Sequence, residues 1–168
     1  MLPVLLLAVV FIPMLIEARI AARHDRALRA MGATEPAHDV YAWMQVVYPA
    51  SFLAMAAEAW WRGAAADTLS GVGLLVFMLA KGLKYWAIAT LGVRWTFRVL
   101  VPPGSSRITT GPYRVLTHPN YVAVLGELTG MALMAHAPIA GVAAMTGFGL
   151  LIYARIRVEE RALGLRAE

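Results

Sequence analysis

Residues 111–135 read GPYRVLTHPNYVAVLGELTGMALMA. The stretch opens on a Gly-Pro turn signal, meets a second proline at Pro119, and carries Glu127 as its only charged residue from there to its end. A proline suits the first turn of a helix because its missing N–H would have no partner there in any case. The pattern predicts a turn followed by a membrane helix that begins directly after His118.

The rest of the chain has the composition of a membrane protein. Of 168 residues, 60% are hydrophobic and 15% are charged, whereas ordinary soluble domains carry roughly 25% charge. In lipid every backbone polar group needs an internal partner, so membrane helices are the natural solution. We therefore expect an all-α integral membrane protein.

Apolar runs predict five transmembrane helices in one domain that covers residues 1–168. The first run has no positive charge before it and no small-residue cleavage site after it, so we expect a retained span and not a signal peptide. A basic segment from Arg19 to His38 is predicted to be an interfacial helix that lies on anionic headgroups. The five spans are expected at about residues 2–20, 40–61, 68–91, 119–135 and 138–156.

Arginines set the expected orientation of these spans. They concentrate in the first and third connections and after Tyr153, while Arg62 lies on the opposite side. The positive-inside rule then puts the N-terminus outside and the C-terminus in the cytoplasm, as in a bacterial inner membrane. The same distribution argues against nucleic-acid binding, despite a net charge of +5, because no basic patch is interleaved with stacking aromatic residues.

Small residues recur four apart in the last two predicted spans, as Gly126 with Gly130 and Ala143 with Gly147. Such pairs let membrane helices approach closely. We expect them to bring these two helices together, and with them His118 and Glu159.

Several charged residues lie in or beside the apolar runs. Arg155 and Glu159 are one helical turn apart, and they form either a polar helix end or one wall of a wet pocket. Lys81 and Lys84 are expected to snorkel to the headgroups, with a pocket role as the alternative. Glu127 needs a partner inside its span, since a bare carboxylate would be costly there.

Chemistry-bearing residues converge on the start of the fourth span. A Gly-Pro-Tyr-Arg turn is followed after three residues by His118, Pro119, Asn120 and Tyr121. Helix N-termini offer free N–H donors and a partial positive charge. A carboxylate, such as that of a cofactor containing an amino acid, would be favoured there.

These motifs resemble the isoprenylcysteine carboxyl methyltransferase family of membrane enzymes. The family pattern is a Gly-Pro-Tyr-Arg turn, an Arg-His-Pro-x-Tyr motif that opens a membrane helix, and an Arg-x-x-x-Glu-Glu segment that ends the next one. In this sequence they correspond to residues 111–114, 118–121 and 155–160. The resemblance covers about the last 60 residues of the chain.

The resemblance implies S-adenosylmethionine as the cofactor, in a cytoplasmic pocket formed by the connection between spans three and four together with spans four and five. Arg155 and Glu159 would then be catalytic: Arg155 orients an anionic acceptor oxygen, and Glu159 fixes Arg155 or accepts a proton. No metal site is expected. The implied cofactor-binding residues are Gly111, Tyr113, His118, Pro119, Asn120, Tyr121 and Glu160.

The acceptor class follows from one departure and from the membrane setting. Thr117 stands where the family commonly has arginine. The sequence around Leu91–Trp95 and Glu127 resembles a bacterial branch of the family that is associated with lipid-like polyketides. We expect methylation of a carboxylate, enol or phenol oxygen on a lipid-like substrate, with membrane lipids as the surroundings. The oligomeric state stays open.

Two alternatives remain from the sequence. The His-Pro-Asn-Tyr motif is also similar to that of the steroid 5α-reductase family, which uses NADPH, although Pro112 favours the methyltransferase. The third possibility is a lipid-binding helix bundle without catalysis. Cysteine is absent, which excludes disulfides, thiolate metal sites and a cysteine nucleophile.

Overall fold

A computed structural model of the protein describes residues 2–36, 39–104 and 108–162. These residues form α-helices and no β-strand, so the expected all-α class is confirmed. Two short 3₁₀ turns, Gly92–Arg94 and Gly111–Arg114, lie in the connection between the third and fourth helices. The helices are α1 (Leu2–Ala30), α2 (Tyr41–Trp61), α3 (Thr68–Leu91), α4 (Pro119–Met134) and α5 (Pro138–Ala162).

Three of the helices, α1, α3 and α5, are long and apolar enough to cross a membrane. The helix α4 has 16 residues, fewer than the roughly 20 that a hydrocarbon core requires. The described residues thus support a membrane protein with three clear candidate spans, while the sequence predicted five.

Helix starts follow the sequence signals closely. The Asp67 side chain accepts a hydrogen bond from the Ser70 backbone N–H at 2.9 Å, which caps the start of α3. Pro119 and Pro138 are the first residues of α4 and α5. At the start of α5, the Glu58 carboxylate of α2 accepts from the Ala140 N–H at 2.7 Å and joins α2 to that helix end.

The prediction for the first connection was wrong. The arginine-rich segment is not a separate interfacial helix but the continuation of α1, which runs unbroken to Ala30. The reason is a buried stripe that includes Glu17, Ala21 and Leu28, and that holds this part of the helix against the bundle. The predicted basic segment ends at His38, which lies outside the described residues, as does Arg107 of the later connection.

The glycines predicted to join α4 and α5 do not do so, although another one, Gly141 of α5, approaches α4 closely, since a Cβ on it would lie 2.6 Å from the Ala132 Cβ. A Cβ on Gly130 would lie 2.7 Å from the Phe77 backbone N, and one on Gly126 would lie 2.9 Å from the Ala80 Cβ. Both glycines therefore face α3 and not α5. A Cβ on Gly147 of α5 would meet nothing within 4 Å.

Candidate functional site

The long connection after α3 is anchored by Arg155 of α5, whose side chain is only 3% exposed. Its Nη1 donates to Asp39 Oδ1 at 2.5 Å, and its Nη2 donates to the Phe97 carbonyl at 2.6 Å. Its Nε donates to Glu159 Oε1 at 3.4 Å. One guanidinium thus joins the segment before α2, the connection and the end of α5.

The first turn of α4 meets the last turns of α5. The Tyr121 hydroxyl donates a short hydrogen bond to Glu159 Oε1. His118 Nδ1 lies 3.5 Å from Glu159 Oε2, and His118 Nε2 lies 3.8 Å from Glu160 Oε1. The predicted meeting of the His-Pro-Asn-Tyr turn with the Glu-Glu segment is therefore observed.

Trp95 ties the connection to both α1 and α4. Its indole Nε1 donates to Asn120 Oδ1 at 3.3 Å, and its carbonyl accepts from His24 Nδ1 at 2.7 Å. The indole is 3% exposed and packs edge-on against Phe97, with ring centroids 5.3 Å apart. Asn120 is thus held by Trp95, which belongs to the quoted stretch Leu91–Trp95 but for which no role was predicted.

The Gly-Pro-Tyr-Arg segment forms the 3₁₀ turn before α4. Gly111 has a φ of +56°, and a Cβ there would lie 3.0 Å from the Thr90 Cγ2 of α3, so both the backbone and the space favour glycine. Burial raises the pKa of the Tyr113 hydroxyl, and the nearby Glu159 carboxylate raises it further. Tyr113 therefore stays a neutral phenol, which can donate or accept a hydrogen bond.

A single cavity of about 680 Å³ begins among these side chains and continues between the helices; we call it the central cavity. Its volume falls within the usual range for small-molecule sites. Gly111 and Pro119 shape the backbone beside it and do not line it. At one end it is lined by seven of the nine predicted site residues, namely Tyr113, His118, Asn120, Tyr121, Arg155, Glu159 and Glu160.

The inner part of the central cavity is mostly apolar. Its wall includes Phe11 and Met14 of α1, Met44 of α2, Val124 of α4 and Phe148 of α5. A cavity with one charged end and an apolar interior suits a molecule with a polar head and a hydrophobic chain.

A closed ring of four buried charges lies beside the inner part of the cavity. Lys81 Nζ lies 2.6 Å from Glu17 and 2.9 Å from Glu127, while Lys84 Nζ lies 3.1 Å from Glu17 and 2.8 Å from Glu127. The Tyr48 hydroxyl donates to Glu127 Oε2 at 2.5 Å. The expected partner of Glu127 is confirmed.

The lysines of this ring correct one expectation. They do not snorkel, since Lys81 and Lys84 are 5% and 2% exposed and both point inward. Snorkelling would leave two buried carboxylates without counter-charges. Sequence reasoning missed Glu17 and Tyr48; the available signal was a lone glutamate in an apolar helix, which is costly without a partner.

Comparisons with known proteins identify a family for this chain. The sequence model of the isoprenylcysteine carboxyl methyltransferase (ICMT) family matches residues 72–164, which is more than half of the chain and includes every predicted site residue. The uncharacterized protein YpbQ of Bacillus subtilis (strain 168) is 29% identical, over 95% of each chain. An uncharacterized protein of Haemophilus influenzae is 25% identical, over 86% of this chain and 84% of the relative. No solved structure matches the chain.

Proposed function

The chain belongs to the isoprenylcysteine carboxyl methyltransferase family, and from this premise we propose that it is a membrane methyltransferase that uses S-adenosylmethionine to methylate an oxygen atom of a lipid-like acceptor. The observation that carries the proposal is the central cavity, whose charged end is lined by residues of all three family motifs. A soluble acceptor would not require a site sunk between membrane helices.

The charged end of the cavity fits the chemistry of this cofactor. His118 Nε2 is buried and has no hydrogen-bond partner among the described residues, and buried polar atoms in native proteins are nearly always paired. S-adenosylmethionine carries a carboxylate, an ammonium group and a positively charged sulfur, and each finds complementary groups here. His118 and Glu160 would hold the amino-acid end, while the phenol rings of Tyr113 and Tyr121 would contact the adenosyl group or the sulfonium.

Gly111 and Pro119 would act on the cofactor site through the backbone, and Asn120 through its side chain. Pro119 starts α4, and the Tyr121 and Val122 N–H groups of that first turn are bonded to the His118 carbonyl. Gly111 lets the preceding turn lie against Thr90. Asn120 is fixed by Trp95. These three residues hold the position of the turn that would bind the cofactor.

Bound S-adenosylmethionine supplies a methyl group on a positively charged sulfur, ready for transfer to an oxygen nucleophile. The protein's task is to align that oxygen and to exclude water. Arg155 holds the connection through Phe97 and would offer a further N–H donor to an anionic acceptor oxygen.

Glu159 is the proposed proton acceptor when the acceptor is a phenol or an enol. Its Oε1 already accepts from Tyr121 and Arg155. Its Oε2 lies 3.5 Å from His118 Nδ1. The proton of the acceptor hydroxyl would therefore pass to Oε2, and a carboxylate acceptor would need no such transfer.

We further propose that α2 and α4 cross the bilayer together with α1, α3 and α5. The Glu127 carboxylate of α4 and the Tyr48 hydroxyl of α2 meet charges of α1 and α3 in the buried ring, so all four helices share one apolar surrounding. With the N-terminus outside, the cavity mouth would open to the cytoplasm, where the cofactor is made.

Two measurements test the proposed function against its alternatives. Purified protein in detergent is titrated calorimetrically with S-adenosylhomocysteine and with NADPH. We expect heat from S-adenosylhomocysteine alone, and heat from NADPH alone would favour a reductase.

Methyl transfer from labelled S-adenosylmethionine to a lipid extract is then followed for Glu159→Gln and His118→Ala. If both variants fold and turn over like the wild type, the site is not catalytic.

The matched control for these variants is Arg157→Gln. Arg157 lies on the same helix, its side chain is exposed and it does not line the central cavity. We expect it to keep full turnover, so that a loss in Glu159→Gln is assigned to the cavity and not to the charge of the helix end.

A further inference from the structure

Asp25 of α1 has one buried carboxylate oxygen, Oδ1, to which no described residue donates a hydrogen bond. Its Oδ2 lies 3.7 Å from Arg98 Nε, beyond hydrogen-bond distance. A buried acceptor without a hydrogen-bond partner destabilises a fold, the more so when it is charged, so the presence of this one calls for an explanation.

The neighbouring Arg98 does not provide the missing hydrogen bond, because its guanidinium is bonded to another carboxylate. Arg98 Nη1 donates to Glu35 at 2.8 Å, and the guanidinium lies over the Tyr41 ring at 4.6 Å from its centre. Burial alone would raise the pKa of the Glu35 carboxyl, but hydrogen bonds from Arg98 and Arg29 outweigh burial and lower that pKa. Arg98 is thus the close partner of Glu35 and only a distant one of Asp25.

Asp25 lines the same central cavity as His118. The α1 wall is tied to the start of α4 there, because His24 bonds the Trp95 carbonyl and the Trp95 indole bonds Asn120. Two buried polar atoms without partners, Asp25 Oδ1 and His118 Nε2, therefore belong to one cavity. A single ligand can satisfy both atoms only if it carries a hydrogen-bond donor for the carboxylate.

We infer that Asp25 is a binding residue for S-adenosylmethionine and accepts a hydrogen bond at Oδ1 from the cofactor's ammonium group or ribose hydroxyls. This inference rests on the proposed function. It extends the cofactor site to α1, which precedes the family match over residues 72–164. The N-terminal helix then contributes to recognition of the cofactor as well as to the apolar wall.

The test is equilibrium binding of S-adenosylhomocysteine to the full chain in detergent. Loss of a hydrogen bond to a charged group weakens binding. Asp25→Asn and Asp25→Ala are therefore each expected to raise the dissociation constant by about 10- to 100-fold. Methylthioadenosine, which keeps the ribose and lacks the amino acid, separates the two donors. If the variants bind both ligands more weakly, the ribose hydroxyls are the donors to Asp25. If they bind only S-adenosylhomocysteine more weakly, the donor is the ammonium group.

Glu35→Gln is the matched control, since it removes a carboxylate bonded to the same Arg98 but lies outside the cavity lining; its affinity is expected to stay at the wild-type value. The ligand-free melting temperature is the second measurement. A ligand-binding carboxylate without its own partner should leave that temperature unchanged or raised when it is removed. A lower melting temperature in both Asp25 variants would make the residue structural and overturn the inference.

The outcomes separate this inference from the proposed function. If the wild type binds S-adenosylhomocysteine and both Asp25 variants bind it equally well, only the role of Asp25 is wrong. If the wild type does not bind S-adenosylhomocysteine at all, both the role of Asp25 and the proposed function are wrong.

Discussion

The ammonium group of Lys84 lies 2.8 Å from the carboxylate of Glu127, and both side chains are fully enclosed by the helices. Glu17 and Lys81 complete a ring in which each charge touches two of opposite sign. The ring is neutral as a whole, and it fixes α1 to α3 and α4. Since Glu17 and Lys84 also line the central cavity, the ring holds one wall of the cavity in place.

We expect Glu127→Gln to lower the stability of the protein by about 3–5 kcal/mol. The substitution leaves one buried ammonium group of the ring without a counter-charge. The free energy of burying that charge exceeds the attraction that is lost. Thermal unfolding in detergent measures the effect. The addition of Lys84→Met should restore part of the loss, because the two residues are coupled. Equal stability of wild type and Glu127→Gln would show that the ring does not stabilise the bundle.

Gly73 of α3 faces the α4 backbone so closely that any side chain would collide. A Cβ at this position would lie 2.5 Å from the Met134 N and 2.7 Å from the Gly130 O. We expect Gly73→Ala to destabilise the fold by about 1–3 kcal/mol, the usual cost of overpacking. Gly71→Ala on the same helix is the control, since a Cβ there meets nothing within 4 Å, and it should be neutral or stabilising by up to about 1 kcal/mol. Equal effects at the two positions would contradict the close approach of α3 and α4.

Helix positions were largely predictable because the signals are local. Asp67 and Pro119 mark helix starts through their own chemistry, and α3 was predicted with its observed bounds. The end of α1 was not predictable in the same way. Its arginines lower the average hydropathy, and only the folded bundle shows that Glu17 and Leu28 lie on one buried stripe.

The candidate site was also only partly predictable from the sequence. His118, Tyr121 and Glu159 belong to short motifs and were found from their spacing. Asp25 and Asp39 come from the N-terminal part of the chain, and no sequence interval links them to the motifs. Only the folded chain places Asp25 in the lining of the central cavity and Asp39 against Arg155, so neither position could be read from the sequence.

The ion pair of Glu35 with Arg98 predicts a pH-dependent stability. The pKa of the Glu35 carboxyl is lowered from its ordinary value of 4.5, so the folded state favours the charged form. Its stabilisation is therefore complete above pH 4.5 and is lost as the pH falls through the lowered folded pKa. We expect wild type to melt above Glu35→Gln near about pH 6, with the difference vanishing toward about pH 3.

Salt provides an independent check on this pair. Glu35 and Arg98 are 26% and 37% exposed, so high ionic strength should reduce the difference between wild type and Glu35→Gln at neutral pH. A difference in melting temperature that does not change with pH or salt would mean that the Glu35 charge is not what stabilises the connection.

Arg155 supplies the most specific prediction about activity. Its planar guanidinium holds Asp39 and the Phe97 carbonyl at the same time, a geometry that a lysine cannot reproduce although it keeps the charge. We expect Arg155→Lys to lower kcat/KM for methyl transfer to the lipid extract by about 100-fold, because a shift of about 1 Å at a reacting centre has an effect of that size. Arg157→Lys, an exposed position on the same helix, should keep wild-type turnover. If Arg155→Lys also turns over normally, then the charge of Arg155 is sufficient and its hydrogen bonds to the connection have no part in aligning the acceptor.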